Sequence, residues 1–90
     1  MKNIILTGCS GLLGKEFINY FKNKKCNLIL VDKIFKEKIK NENFFYFKCN
    51  LNSTVSRNNL IKKINQKFKK IDVLINNAAV TGASYQTGWN

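Results

Sequence analysis

The 90-residue sequence predicts an open α/β fold, a parallel sheet with helices on both faces. Three observations predict it. Short apolar runs alternate with helical patterns from end to end. Glycines stand at 8, 11 and 14, directly after the first run and at the start of the first helical pattern. An acidic residue, Asp32, closes the second run.

The elements follow in order. "KNIILT" (2–7) is a short apolar run stopped by Gly8 and reads as a buried strand. From Leu12 onward, apolar residues at 13, 17, 18 and 21 fit a helix reaching about Lys24. "NLILVD" (27–32) is a second buried strand. "KIFKEKIKNEN" is polar and basic and holds at best one short helix. "FFYFKC" (44–49), rich in aromatics, is a third strand. Ser53 or Thr54 can cap a helix over about 54–70, in which Leu60, Ile61, Ile64, Phe68 and Ile71 recur at three- and four-residue steps. "DVLINNAA" (72–79) is a fourth strand, and the tail that follows has no clear period. Strands separated by helical crossovers run parallel and cross over right-handed.

Composition narrows the function classes. Ninety residues allow one domain with a modest core. An apolar content of 44% with seven Phe favours a globular chain over a disordered one. The net charge of +11 invites a nucleic-acid reading, but fifteen of the sixteen basic residues are Lys, and fourteen Asn accompany them without a single Pro or His. That pattern is a general bias in residue usage, so the charge reads as solvated surface, although any phosphate-bearing ligand is still attracted. "FFYFK" could stack RNA bases, yet it reads better as a core strand. Cys9, Cys26 and Cys49 form no CxxC pair, and without His a zinc site lacks ligands; a reducing, cytoplasmic setting is expected. No apolar run approaches the roughly 20 residues of a membrane span. "LTGC" matches a lipoprotein cleavage site in wording, but the apolar stretch before it is far shorter than an export signal needs.

The glycines carry the chemistry. A glycine-rich turn between strand and helix exposes backbone N–H groups at the helix N-terminus, where the helix dipole also favours an anion. In that frame Gly8 permits the tight turn, Gly11 admits a pyrophosphate close to the backbone, and Gly14 lets the helix pack tightly. Asp32, eighteen residues beyond Gly14, stands where a carboxylate receives the adenosine ribose hydroxyls of NAD. Gly14 is followed by Lys15-Glu16 rather than Lys-Ser/Thr, which argues against a nucleotide triphosphatase.

These residues resemble the short-chain dehydrogenase/reductase family along the whole chain. "TGCSGLLG" (7–14) is similar to its cofactor motif in the TGxxGxxG spacing, and "INNAA" (75–79) to the NNAG motif after its fourth strand, with Ala79 in place of Gly. "CNL" (49–51) stands where the family usually has Asp-Val or Asp-Leu, so Asn50 replaces an Asp. The resemblance implies a Rossmann-type sheet in the order 3-2-1-4 with about four strands present. It implies pyrophosphate contacts from Gly8, Ser10, Gly11, Leu12, Leu13 and Gly14, ribose contacts from Asp32 and Lys33, adenine flanked by Asn50 and Leu51, and Asn77, Ala78 and Ala79 beside the nicotinamide ribose. Asn77 can equally be a structural tie between strands.

By the same resemblance the cofactor is NAD rather than NADP, since Asp32 repels a 2′-phosphate. The chain is then the N-terminal part, residues 1–90, of an NAD(P)-binding domain that stops before the catalytic half. The family's Ser and Tyr-x-x-x-Lys lie beyond residue 90. Tyr20 and Lys24 do spell Tyr-x-x-x-Lys, but on the first helix, where the family's pair does not occur. The parent activity would be oxidoreduction of a hydroxyl or carbonyl, and "GLLGKEF" resembles reductases of surface-sugar pathways. A non-enzymatic nucleotide-binding or regulatory module is the alternative. The chain alone is expected to be inactive, poorly stable, and prone to self-association through the open edge of "DVLIN".

Overall fold

The computed structural model describes residues 1–77. Its elements are β1 (Lys2–Thr7), α1 (Leu12–Phe21), β2 (Cys26–Asp32), β3 (Phe44–Lys48), α2 (Thr54–Lys67) and β4 (Val73–Asn76). The strands form one sheet in the order β3-β2-β1-β4, and every neighbouring pair is parallel. The 3-2-1-4 order implied by the family resemblance is therefore the observed one.

β2 is central and covered on both faces, which explains its unbroken apolar run: Leu28, Ile29, Leu30 and Val31 are all fully buried. Each such side chain contributes about 1.5–3 kcal/mol by leaving water. Alternation then assigns the faces. Ile4, Leu6, Leu28, Leu30 and Phe44 pack with Ile18 of α1, while Ile29, Val31, Ile64 and Phe68 form a second cluster under α2. The Phe45 ring meets Phe68 edge-on at 5.0 Å, and the Lys67 ammonium covers the same Phe45 ring at 4.9 Å. One lysine of α2, taken from the sequence as plain solvated surface, thus has a packing role.

Several boundaries move. α1 ends at Phe21 rather than Lys24, because β2 begins at Cys26 and residues 22–25 are needed to turn the chain. α2 ends at Lys67: Phe68 takes an extended conformation and drops its ring into the core. Ile61 is exposed, being about 100° around the helix from Leu60, so the apolar face is narrower than the spacing predicted. Residues 33–43 hold no helix. They are a strap over the α1 face, with Phe35 against Tyr46.

β4 is the edge strand, paired only with β1 among the described residues, and Leu74 is 61% exposed. Its register is fixed at its start. The Asn3 N–H donates to the Asp72 carboxylate at 2.8 Å, the Asp72 N–H returns a bond to the Asn3 carbonyl at 2.9 Å, and the Asn3 amide donates to the Lys70 carbonyl at 2.7 Å. The Asn3 N–H foremost, then Lys70 and Lys2, hold the Asp72 carboxyl below its ordinary range despite some desolvation. Ala78 and Ala79, expected beside the nicotinamide ribose, lie outside the described residues.

Candidate functional site

The parallel strands end together at one edge of the sheet, and there the glycine loop leaves β1. Gly8 has φ 66°, a left-handed conformation open to glycine at little cost. Its N–H donates to the Val31 carbonyl at 2.9 Å, so the loop starts fastened to β2. Gly11 is the N-cap of α1, carries no side-chain cap, and has no acidic residue in the helical turn that follows. The backbone donors of the helix start are therefore not satisfied by side chains of the usual kind. A Cβ on Gly11 would meet nothing nearer than the Gly8 carbonyl oxygen at 4.0 Å, so the space beside this backbone is open. Gly14 is the reverse: a Cβ there would lie 2.6 Å from the Cα, C and O of Cys9. The helix crosses the loop so closely that only glycine fits.

Asp32 ends β2 directly beside this loop. Its carboxylate accepts the Ser10 N–H at 2.9 Å through Oδ2 and the Lys33 N–H at 2.7 Å through Oδ1. Ser10 in turn donates its hydroxyl to the Ile34 carbonyl at 2.8 Å. The carboxylate is thus held in one orientation, each oxygen keeping further acceptor capacity for hydroxyl donors. The Ser10 side chain ties the loop to the strap instead of pointing at the helix start. Leu12 and Leu13 stand 84% and 55% exposed, an apolar pair on open surface next to a polar loop.

Cys9 lies under the loop. Its thiol faces the Val31 carbonyl at 3.8 Å, and burial first and the Asp32 charge second push its pKa up to about 12. At neutral pH it is an uncharged packing group and no nucleophile.

At the far side of the edge, the Asn77 amide donates to the Gly8 carbonyl at 3.2 Å and the Asn77 N–H to Thr7 Oγ1 at 3.0 Å. The strand-tying role left open for Asn77 is therefore present. Thr7, the first residue of the TGCSGLLG motif but given no role of its own there, is the hub, since its hydroxyl also donates to Asn76 Oδ1 at 3.0 Å. Its place in that motif marked the position without naming the partner.

Asn50 is exposed at the end of β3, and its Oδ1 accepts the Asn52 N–H at 3.1 Å, which leaves the amide nitrogen as its outward donor. Leu51 packs partly into the α2-side core. Lys33 extends into solvent beside Asp32. Tyr20 and Lys24 form a surface pair on the other end of α1, with the ammonium 4.7 Å over the Tyr20 ring. They are two helical turns from the loop.

A family model described as short chain dehydrogenase matches residues 2–88. A dihydropteridine reductase of Dictyostelium discoideum is 35% identical over 74 residues, which are 82% of this chain and 30% of that protein. A short chain dehydrogenase of Leptospira borgpetersenii serovar Hardjo-bovis, solved with bound NAD+, superposes with TM-score 0.75 at 21% identity over 83% of this chain and 30% of that one. A short chain dehydrogenase family protein of Francisella tularensis gives TM-score 0.74 at 25% identity over 89% and 32%. The dTDP-glucose 4,6-dehydratase of Bacillus anthracis, in complex with NAD, gives 0.68 at 22% over 97% and 30%. The chain thus spans about a third of the length of the proteins it matches.

Proposed function

The chain belongs to the short-chain dehydrogenase family, and from that premise we propose that its glycine loop and Asp32 form the adenosine-diphosphate end of an NAD site. One observation carries the reading: an uncapped helix start over open space at Gly11 stands beside a carboxylate held by two backbone N–H groups. The two halves fit the two halves of the ligand. The N–H groups that open α1 match the acceptor oxygens of a pyrophosphate, and the free acceptor capacity of Asp32 matches a pair of ribose hydroxyls. A 2′-phosphate would bring its charge against that carboxylate, so NAD is favoured over NADP.

Leu12 and Leu13 cover the pyrophosphate, Asn50 and Leu51 flank the adenine, and Asn77 marks the approach to the nicotinamide ribose. When bound, the dinucleotide supplies a site for hydride transfer. This chain's own residues bind and orient it. The acid/base group for a hydroxyl or carbonyl substrate belongs to the remaining two thirds of such a protein, which makes the whole an oxidoreductase. The narrower reading, a sugar of surface glycans, rests on the wording of Gly11–Phe17 alone. The exposed edge of β4 supports self-association of the isolated chain.

Calorimetric titration of the chain with NAD and NADP tests the reading. Saturable NAD binding with weaker NADP binding is expected. A folded chain that takes up no NAD, or prefers NADP, would overturn it.

A further inference from the structure

We infer that Tyr46 is a positioning residue for this site: its hydroxyl fastens the 33–43 strap, and through Ser10 the strap holds Asp32 in register for the adenosine ribose. The inference rests on the dinucleotide reading above.

The strap needs a fastener. It has neither helix nor strand to stiffen it, and a cavity of about 270 Å³ separates part of it from α1. Ser10, Phe35 and Ile39 line that cavity with Lys15 and Ile18 of α1, so direct packing on the helix is interrupted where the strap passes the loop. Tyr46, itself a wall of that cavity, ties the strap to the sheet instead. Its side chain rises from β3, whose backbone is fixed by pairing with β2. The hydroxyl accepts the Ile39 N–H at 2.7 Å and donates to the Ile39 carbonyl at 3.1 Å, closing a two-bond ring around one residue of the strap. The Phe35 ring stands edge-on to the Tyr46 ring at 5.1 Å, and the Lys38 ammonium lies 5.6 Å from the Tyr46 centroid and 5.9 Å from that of Phe35.

The fastened segment reaches the site at its other end. Ile34, next to Phe35, offers its carbonyl to the Ser10 hydroxyl, and the Ser10 N–H lies on the Asp32 carboxylate. A loosened strap therefore frees Ile34, then Ser10, then the orientation of Asp32. Partial burial raises the Tyr46 pKa, so the phenol keeps the proton that it donates to Ile39. Tyr46 touches neither Asp32 nor the glycine loop in any of these bonds. It acts through Ile39 and Phe35.

The Tyr46→Phe variant of the whole chain keeps the ring and deletes both hydroxyl bonds. Its affinity is read for NAD and for an NAD analogue whose adenosine lacks the 2′-hydroxyl. NAD binding should weaken about fivefold to tenfold, the analogue much less, so that the preference for the ribose diol falls toward one. Asp32→Asn should lower that preference by itself, and adding Tyr46→Phe should lower it no further. A parallel loss for both ligands would mean that Tyr46 only stabilises the fold, and an unchanged preference would overturn the inference equally. If Tyr46→Phe does not fold, Phe35→Leu reads the same ratio. Amide exchange at Ser10 and Lys33 without ligand separates the two proposals. If the wild-type chain takes up no NAD, the dinucleotide reading falls. Exchange at these amides unchanged by the substitution would then sink the strap mechanism independently.

Discussion

The two helices begin at the same edge of the sheet and begin in opposite ways. α2 closes its own end. The Ser53 hydroxyl accepts the Ser56 N–H at 3.2 Å, the Ser56 hydroxyl accepts the Asn50 N–H at 2.9 Å, and the Arg57 guanidinium binds the Leu51 carbonyl at 2.6 Å and Thr54 Oγ1 at 3.1 Å. α1 begins on Gly11 with no side-chain cap, over open space. Helix starts are alike in the backbone donors they present, so the difference lies in side chains. Where a sequence places Ser, Asn and Arg, the end serves the fold. Where it places glycines and no capping oxygen, the backbone donors are left without a side-chain cap, and in the function proposed above a pyrophosphate takes that place.

The largest effect that would break this contrast is at Gly14. In Gly14→Ala the new Cβ meets the Cys9 backbone, which cannot swing aside as a side chain could. Destabilisation by about 3 kcal/mol or more is expected, the upper part of the range for overpacking. Thermal unfolding would show it as a lost or strongly lowered transition, whereas a midpoint near wild type would mean that the helix can move off the loop.

Gly11→Asp sharpens the contrast by giving α1 the kind of cap that α2 has. Space for the side chain exists, and Asp is the better N-cap by a few tenths of a kcal/mol at about room temperature. Stability should hold or rise slightly while NAD binding falls by more than about tenfold, because a carboxylate then occupies the anion position. Both quantities can be followed on one sample by thermal melts with and without NAD. A rise in stability with full affinity would show that the helix start is not where the pyrophosphate sits.

The smallest expected effect is Ser53→Ala, which opens α2. It should cost about 1 kcal/mol of stability and leave NAD affinity within about twofold, since that end serves only the fold. Urea unfolding gives the first number and calorimetry the second. A larger change in affinity than in stability would place the α2 start in the site as well.

The features legible in the sequence are those set by local chemistry. The burial of Leu28–Val31, the turn at Gly8 and the Ser53 cap all follow from residue type and spacing over a few positions. Asp32 was legible too, because a strand end at a known distance from a glycine loop is itself a local pattern. Other features were decided only by the tertiary structure. The Asn3–Asp72 tie, the Thr7 hub and the contact of Asn77 with Gly8 join residues about 70 positions apart, and each depends on the register between β1 and β4. The strap at 33–43, read as at best a short helix, owes its path to a tyrosine on the neighbouring strand. Hydrogen bonds are short and directional, so their partners are settled by where strands and connections come to lie, and a periodic pattern along one segment says which face is buried without saying what that face will touch.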